Sequence, residues 1–219
     1  MPKSKAVILL SGGLDSTTTL YYAKSRNYQC YVLIFDYGQR HKREIESALA
    51  VAKKAKVFYQ IIKIKLPWKG SSLIDKNFNI PVDRKLEGIP STYVPARNTI
   101  FLSFALSYAE TIGAKAIFIG ANAIDFSGYP DCRPNFYQAF QKVIQTGTKA
   151  KKIKVLTPLI KMSKAQIIRL GMKLGAPLEL TWSCYKGGIK PCGVCDSCRL
   201  RRKGFESLGY SEGKLSNTS

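Results

Sequence analysis

Short apolar runs alternate with longer amphipathic segments along most of the chain. Five of these runs have the length of a buried strand: residues 6–10, 30–35, 57–66, 116–120 and 155–160. Helix-length segments separate most of them, and this alternation is typical of α/β folds with a parallel sheet. We therefore predict a five-stranded parallel sheet with helices on both faces.

Helical periodicity predicts what lies between the strands. Helices are expected at about residues 16–26 and 40–54, where apolar side chains recur at helical spacing. Residues 98–111 are almost continuously apolar, which predicts burial against the sheet or a second subunit. Ser163 and Gln166 form a capping box at the start of a further helix. Glycines and prolines make residues 67–95 an irregular excursion from the sheet.

The turn after the first strand has the strongest chemical pattern. Residues 11–16 are Ser-Gly-Gly-Leu-Asp-Ser. Glycines let the backbone approach an oxyanion, and the helix that follows offers free N–H groups. The Walker A lysine and the GxGxxG spacing of dinucleotide folds are both absent. The turn thus predicts phosphate binding; the alternative is a glycine turn with a polar helix cap.

This turn resembles the pyrophosphatase loop of enzymes that split ATP between its α and β phosphates and adenylate a carbonyl oxygen. The resemblance implies binding of ATP and Mg²⁺ by Leu10, Ser11, Gly12, Gly13, Leu14, Asp15, Ser16 and Thr17. Asp15 would help to place the metal beside the phosphates. Asp15 and Ser16 are therefore also candidate catalytic residues.

Four cysteines lie close together near the end of the chain: Cys184, Cys192, Cys195 and Cys198. Their spacing, with glycines among them, suits tetrahedral zinc. A disulfide pair and a catalytic thiol are the alternatives, and a reducing cytosol disfavours the disulfide. Four protein ligands would leave no open position, so we predict a structural metal. Of the other two cysteines, Cys30 is predicted in the core and Cys132 near a substrate.

Polar segments follow two strands or enter the third helix, where parallel sheets bind ligands. Asp36, Gln39 and Arg40 are predicted nucleotide contacts, although Asp36 could simply cap a helix. Candidate substrate contacts are Tyr93, Arg97, Asn98, Asn122, Asp125, Tyr129, Asp131 and Arg133. The aromatic rings could stack on a flat heterocycle. Arg97 and Arg133 could bind a carboxylate or a departing phosphate and are candidate catalytic residues; an interface ion pair is their alternative role.

Composition narrows the class of protein. A chain of 219 residues fits one domain with a small appendage. No apolar run approaches the roughly 20 residues that cross a bilayer, and the first residues do not resemble a signal peptide, so we expect a soluble cytoplasmic protein. The formal charge of +21 indicates phosphorylated substrates, nucleic acid or a generally basic surface.

Seven motifs occur in a fixed order: SGGLDST, FDYGQRH, TYVPARNTIF, GYPDCRP, TPLIKMSKAQIIRLG, LTWSCY and CGVCDSCRLR. Across nearly its full length the chain is similar to the 7-cyano-7-deazaguanine synthase (QueC) family of PP-loop ATP pyrophosphatases. The resemblance implies a Rossmann-like, adenine nucleotide α hydrolase-like fold and zinc on the same four cysteines. One departure is Ala96, where similar sequences usually have glycine; it would narrow the backbone freedom of its turn.

The implied activity is the ATP-dependent conversion of 7-carboxy-7-deazaguanine and ammonia to the nitrile preQ0, on the path to queuosine and archaeosine. A homodimer is expected, and direct tRNA binding is not required. The implied domains are an ATP-binding domain at 1–180, a zinc-binding segment with a helix at 181–210 and a flexible tail at 211–219. The alternatives are another PP-loop adenylating enzyme, such as a tRNA thiolation enzyme that would need Cys132, and a non-catalytic zinc-ribbon protein that binds RNA.

Overall fold

The computed structural model describes residues 2–82, 88–123 and 128–211. Five parallel strands form one sheet in the order β3-β2-β1-β4-β5. They are β1 (Lys5–Leu9), β2 (Gln29–Asp36), β3 (Phe58–Lys63), β4 (Ala116–Ile119) and β5 (Lys154–Leu156). The described α-helices are α1 (Leu14–Ser25), α2 (Arg43–Lys54), α3 (Arg97–Ile112), α4 (Pro134–Gly147), α5 (Lys164–Lys173) and α6 (Asp196–Glu206). The predicted fold class is confirmed.

The carboxyl-terminal parts of β1, β2 and β4 lie side by side at the centre of the sheet. Leu9 at the end of β1 pairs with Leu33 of β2 and with Ile119 of β4. The chain winds from β1 towards β2 and β3 and later returns to the other side of β1 through β4 and β5. At such a switch point a crevice opens outside the carboxyl ends of the strands, which is where open α/β sheets bind ligands.

Helices cover both faces of the sheet, as the apolar pattern predicted. Buried side chains of α1 and α2 pack with one face of the strands, in a cluster that includes Leu20, Val51 and Phe118. Those of α3 and α4 pack on the opposite face, in a cluster that includes Leu102 and Ile144. None of the described helices is long and apolar enough to cross a bilayer.

The last two helices form an outer layer against α1. Leu14, Ile168 and Phe205 belong to one buried cluster that joins α1, α5 and α6. Two glycines permit the close approach: a Cβ at Gly171 would lie 2.8 Å from Thr18 Oγ1, and one at Gly204 would lie 2.7 Å from Lys164 Cγ. The capping box at the start of α5 is confirmed, since the Ser163 N–H donates to Gln166 Oε1 and the Gln166 N–H to Ser163 Oγ.

Two boundaries differ from the prediction or extend it. The run 155–160 continues into a turn, because β5 ends at Leu156 and the Ile160 N–H donates back to the Thr157 carbonyl. The excursion from 67 to 95 contains no helix or named strand in its described part, but Val82 forms an isolated antiparallel bridge with Cys195. Of the predicted tail, 212–219 lies outside the described residues.

Candidate active site

A cavity of about 250 Å³ lies at the carboxyl ends of the central strands. Its walls include Leu10 after β1, Phe35 near the end of β2 and Gly120 after β4. Side chains from α1, α2, α3, α5 and the loop before α6 complete the walls. The site therefore draws on both ends of the chain and lies at the switch point of the sheet.

The turn at 11–16 is closed by its own hydrogen bonds. The Ser11 N–H donates to Ser16 Oγ (3.2 Å), and Ser16 Oγ donates to the Gly13 carbonyl (3.2 Å). Gly13 is the N-cap of α1 and supplies no capping side chain. The first N–H groups of a helix have no partner within the helix, so those of α1 are available to an anion in the cavity.

Close packing around two glycines fixes the position of this turn. Gly12 has a φ of +81°, and a Cβ there would lie 2.4 Å from the Glu44 carbonyl oxygen. A Cβ at Gly120 would lie 2.8 Å from the Ser16 nitrogen. The Gly12 carbonyl accepts hydrogen bonds from the Trp182 N–H and from Ser47 Oγ, both at 2.9 Å. These contacts hold the turn between α2, the end of β4 and the loop before α6.

Asp15 forms a close ion pair with Lys164. The Lys164 ammonium donates to both carboxylate oxygens, at 2.7 and 2.9 Å. The Lys164 side chain is 10% exposed, and both residues line the cavity. Lys164 was not among the predicted site residues, although it follows the capping residue Ser163 in the motif TPLIKMSKAQIIRLG. The pair places a cation and an anion beside the first turn of α1.

Arg97 supplies a permanent cation deeper in the site. Its Nη1 donates to Tyr37 Oη at 3.3 Å, and the guanidinium lies 6.0 Å from the centre of the Phe101 ring. Burial alone would lower the pKa of Arg97, but Tyr37 and Asp131 outweigh it and the pKa is raised. Burial also raises the pKa of Tyr37. Arg97 therefore stays charged next to neutral phenols, a setting suited to a planar carboxylate.

The residue before Arg97 has a strained backbone. Ala96 is the N-cap of α3 and has φ 53° and ψ 20°, in the left-handed region that glycine enters most easily. Its N–H donates to Tyr93 Oη at 3.1 Å. The sequence predicted that alanine at this position would restrict the backbone. The structure gives Ala96 a left-handed conformation, which costs about 1 kcal/mol for alanine.

Cys132 lines the cavity as a protonated thiol. Burial, reinforced by Asp131, raises the pKa of Cys132 to about 12. Asn98 Nδ2 donates to the Asp131 carbonyl at 3.0 Å and to Cys132 Sγ at 3.7 Å. A thiol in this state is a poor nucleophile at neutral pH, which weighs against the sulfur chemistry that a thiolation enzyme needs.

The structure brings many predicted contacts to the wall of the cavity. They are Leu10, Ser11, Gly13, Leu14, Asp15, Ser16, Gln39, Arg97, Asn98, Asn122 and Tyr129. Gln39 also stabilises its own loop, because its side-chain Oε1 accepts from the Tyr37 N–H and its Nε2 donates to the Phe35 carbonyl. The amide of Asn122 donates to the carbonyls of Leu159 and Met162.

Other predicted nucleotide contacts lie outside that wall. Gly12 packs behind the turn, and Thr17 is fully buried. Asp36 forms an ion pair with Lys42 at 3.6 Å. The Arg40 guanidinium donates to carbonyl oxygens of the excursion, at Ser72, Phe78 and Lys76. Arg40 therefore fastens that loop to the end of β2 in this structure.

Predicted substrate contacts also divide in this way. Asp131 lies behind the wall, where a carboxylate oxygen accepts from the Asn98 N–H at 3.3 Å. Tyr93 lies at the turn before α3, with its ring centre 6.3 Å from that of Tyr129. Arg133 is exposed and is not part of the wall. Asp125 lies outside the described residues.

The four-cysteine cluster meets the requirements of a metal site. All four sulfur atoms lie within 4.8 Å of one another. A tetrahedral metal with about 2.3 Å bonds to sulfur needs sulfur atoms about 3.8 Å apart, so a small movement suffices. Backbone N–H groups of Cys192 and Cys195 donate to the sulfurs of Cys184 and Cys192. These residues could hold a metal, as their spacing predicted.

The cysteine loop also reaches the cavity. Trp182, Ser183 and Tyr185, around the first cysteine, line the wall, and so do Ser197, Leu200 and Arg201 of α6. Arg201 is buried and donates to Thr181 Oγ1 at 2.6 Å. These wall residues were not predicted from the sequence. Neither was Tyr37 in the FDYGQRH segment, nor Glu44 in α2.

Comparison with known proteins gives a consistent result. The family model described as "Queuosine biosynthesis protein QueC" matches residues 5–209. A 7-cyano-7-deazaguanine synthase of Nostoc punctiforme is 55% identical over 215 residues, covering 94% of this chain and 96% of the relative. One from Thermoplasma volcanium is 51% identical, with 97% and 90% covered. The structure of an NMN synthetase from Francisella tularensis has a TM-score of 0.51 at 16% identity, covers 98% of this chain and 82% of that one, and shares the fold.

Proposed function

This chain belongs to the QueC family of queuosine biosynthesis proteins, and on that premise we propose that it is a 7-cyano-7-deazaguanine synthase. It is a ligase that joins ammonia nitrogen to 7-carboxy-7-deazaguanine with the energy of ATP. The single observation that carries the proposal is the similarity to relatives with that name: more than half of the residues are identical over nearly the full length of the chain. The product would feed queuosine or archaeosine.

The reaction activates one carbon atom twice. A carboxylate is a poor electrophile because oxide would have to leave. The substrate carboxylate attacks the α phosphate of ATP, pyrophosphate leaves, and ammonia then displaces AMP to give the amide. The amide oxygen attacks the α phosphate of a second ATP and pyrophosphate leaves again. Loss of AMP and two protons from the adenylated amide then gives the nitrile. Two ATP molecules thus take up both oxygens of the carboxylate as AMP, and no water is released.

The turn at 11–16 would hold the departing pyrophosphate. The free N–H groups at the start of α1 and the hydroxyls of Ser11 and Ser16 face the cavity, where they would stabilise negative charge as it develops. Lys164 would move its ammonium from Asp15 towards a phosphate oxygen. Bound Mg²⁺ would supply further neutralisation of the phosphates, and the carboxylate of Asp15 would then be free to position it.

Arg97 is the residue to which we assign the substrate carboxylate. It lies in the wall, it is charged at every relevant pH, and its planar guanidinium fits two carboxylate oxygens. Asn98, Asn122 and Tyr129 line the same region and would position the base. Arg133 is exposed, so we give it a lesser role in attracting anions to the entrance.

The metal on the four cysteines is zinc in this proposal, and its role is structural. Four thiolates close a tetrahedral coordination sphere, so no position remains for a reacting water. Because Trp182, Ser183 and Tyr185 flank Cys184 and line the cavity, metal binding would order one wall of the active site. Zinc would thus support catalysis without contacting the substrate.

We also propose that the protein is a homodimer. It would act in the cytoplasm, on the free base rather than on tRNA. Support comes from exposed aromatic side chains on the α3 side of the edge strand β3: Phe58 is 66% exposed and Phe104 is 41% exposed. Tyr31 stacks on Phe58 and contacts Tyr108 of α3, which makes this surface continuous. Sedimentation should give twice the 24.4 kDa mass of one chain, and Phe104→Glu should lower it.

The test of function combines purified protein with Mg-ATP, ¹⁵N-ammonium and 7-carboxy-7-deazaguanine. Mass spectrometry should find ¹⁵N-labelled nitrile. Two molecules of AMP and two of pyrophosphate should form for each molecule of nitrile. Asp15→Asn is the matched variant and should leave most of the base unchanged. Intact ATP with unchanged base in the wild-type reaction would contradict the proposal and favour tRNA thiolation, which can be assayed with the same preparation.

A further inference from the structure

Glu44 lines the cavity but has no role in the proposed reaction. It lies in the first turn of α2 and lines the cavity together with Tyr37, Arg97 and Tyr185. The other carboxylate in the described wall, Asp15, is bonded to Lys164. Across residues 2–82, 88–123 and 128–211, no hydrogen bond or ion pair within 4.0 Å engages the Glu44 side chain.

The surroundings of Glu44 make an incoming hydrogen-bond donor favourable. Burial raises the pKa of Glu44 to about 7, while Arg97 acts in the opposite direction. A half-buried carboxylate whose oxygens lack donors is costly, and a ligand that donates to both oxygens removes that cost.

The base of the proposed substrate has two such donors side by side. The N1–H and the 2-amino group of a 7-deazaguanine point in nearly the same direction, at a spacing that matches two carboxylate oxygens. The 7-carboxylate lies beyond O6 on the other side of the ring system. One ring can therefore present its anionic group to Arg97 and its donor edge to Glu44.

Resting on the proposed function, we propose that Glu44 binds the N1–H and 2-amino edge of the substrate base and selects bases that carry a 2-amino group. Tyr37 and Tyr185 line the same cavity as Glu44 and provide aromatic surface for the ring. Ammonium is a poorer occupant of this position, because the positive charge of Arg97 already acts on Glu44 and lowers the pKa of Glu44.

The experiment compares the wild type with Glu44→Gln on two bases, 7-carboxy-7-deazaguanine and 7-carboxy-7-deazahypoxanthine, which lacks the 2-amino group. Glutamine keeps the shape but replaces one acceptor oxygen with an NH₂ group that faces the donors. Titration calorimetry without ATP should show about 10- to 100-fold weaker binding of the deazaguanine by E44Q. The preference for the 2-amino base should fall by a similar factor, with KM for ATP unchanged.

Glu46→Gln is the matched control, since Glu46 lies on the same helix but is exposed and pairs with Arg43 at the surface. It should bind both bases as the wild type does. Thermal unfolding of all three proteins checks that E44Q is folded.

Three results would overturn the assignment. A raised KM for ATP alone would place Glu44 at the nucleotide, and a raised KM for ammonium alone would place it at the amine. A lower kcat with unchanged binding of both bases would make Glu44 a proton acceptor instead. The calorimetry also separates the two proposals: a wild type that binds the deazaguanine more tightly than E44Q but makes no nitrile supports Glu44 and contradicts the proposed activity.

Discussion

The turn at 11–16 and the cysteine loop at 184–198 flank one cavity but are ordered by different means. The turn is closed by hydrogen bonds between residues no more than five positions apart. The loop depends on distant partners, such as the Val82 bridge to Cys195 and the Arg43 side chain, which donates to the carbonyls of Gly188 and Ile189. Local sequence therefore specifies the hydrogen bonds that close the first region, although distant residues fix its position. The second region depends on distant partners throughout, and under the proposal it also depends on a bound metal.

The largest expected effect concerns the cysteine loop. Cys195→Ser removes one thiolate, and we expect loss of the metal with several kcal/mol of stability, since structural zinc sites contribute on the scale of ~10 kcal/mol. Metal analysis and chemical unfolding measure both effects. Cys132→Ser, whose sulfur lies outside the cluster, should keep the full metal content. A stable, active, metal-free C195S protein would show that the loop is ordered without metal.

The second prediction concerns the packing of the turn. Gly12→Ala should destabilise the protein by roughly 3 kcal/mol, because the new Cβ would lie 2.4 Å from the Glu44 carbonyl oxygen in addition to the backbone strain at φ +81°. Gly38 has a similar φ of +83° but no atom within 4 Å of its Cβ position. Gly38→Ala should therefore cost only about 1 kcal/mol. Equal losses in urea unfolding would mean that packing does not fix the turn.

This contrast also explains what the sequence could predict. Apolar runs placed all five strands within a few residues, and the Ser163 capping box placed α5, because both patterns are local. The turn at 11–16 was recognisable for the same reason. Lys164 was missed because its partner Asp15 is 149 positions away. Glu44 was missed because its helical spacing resembles that of any solvated position.

The third prediction concerns chemistry at the turn. Asp15→Asn should lower turnover by about 100-fold, because it removes the charge that pairs with Lys164 and that would position Mg²⁺. The fold should survive, since the change is nearly isosteric. Steady-state kinetics measures the loss, and Glu206→Gln, which breaks an exposed pair with Arg202, should leave turnover unchanged. Normal turnover by a folded D15N protein would remove Asp15 from the mechanism.

The smallest expected effect concerns the turn before α3. Ala96→Gly should stabilise the protein by about 1 kcal/mol, because glycine enters the left-handed region without the Cβ penalty. Lys56 has a similar φ of 52° in the exposed turn after α2, and Lys56→Gly is the matched control. Both should raise the unfolding midpoint, but only A96G should change KM for the base, since Ala96 directly precedes Arg97. A destabilised A96G would indicate that backbone entropy outweighs the strain.

The Trp182 N–H donates a hydrogen bond to the Gly12 carbonyl, so residues that are far apart in the order of synthesis build one cavity. During synthesis the turn at 11–16 leaves the ribosome long before Lys164, Trp182 and Arg201 do. A nascent chain can pair β1 and β2 early, yet the wall of the cavity is incomplete until α6 is available. Incomplete translation products would therefore be unable to consume ATP, even where their sheet has begun to form.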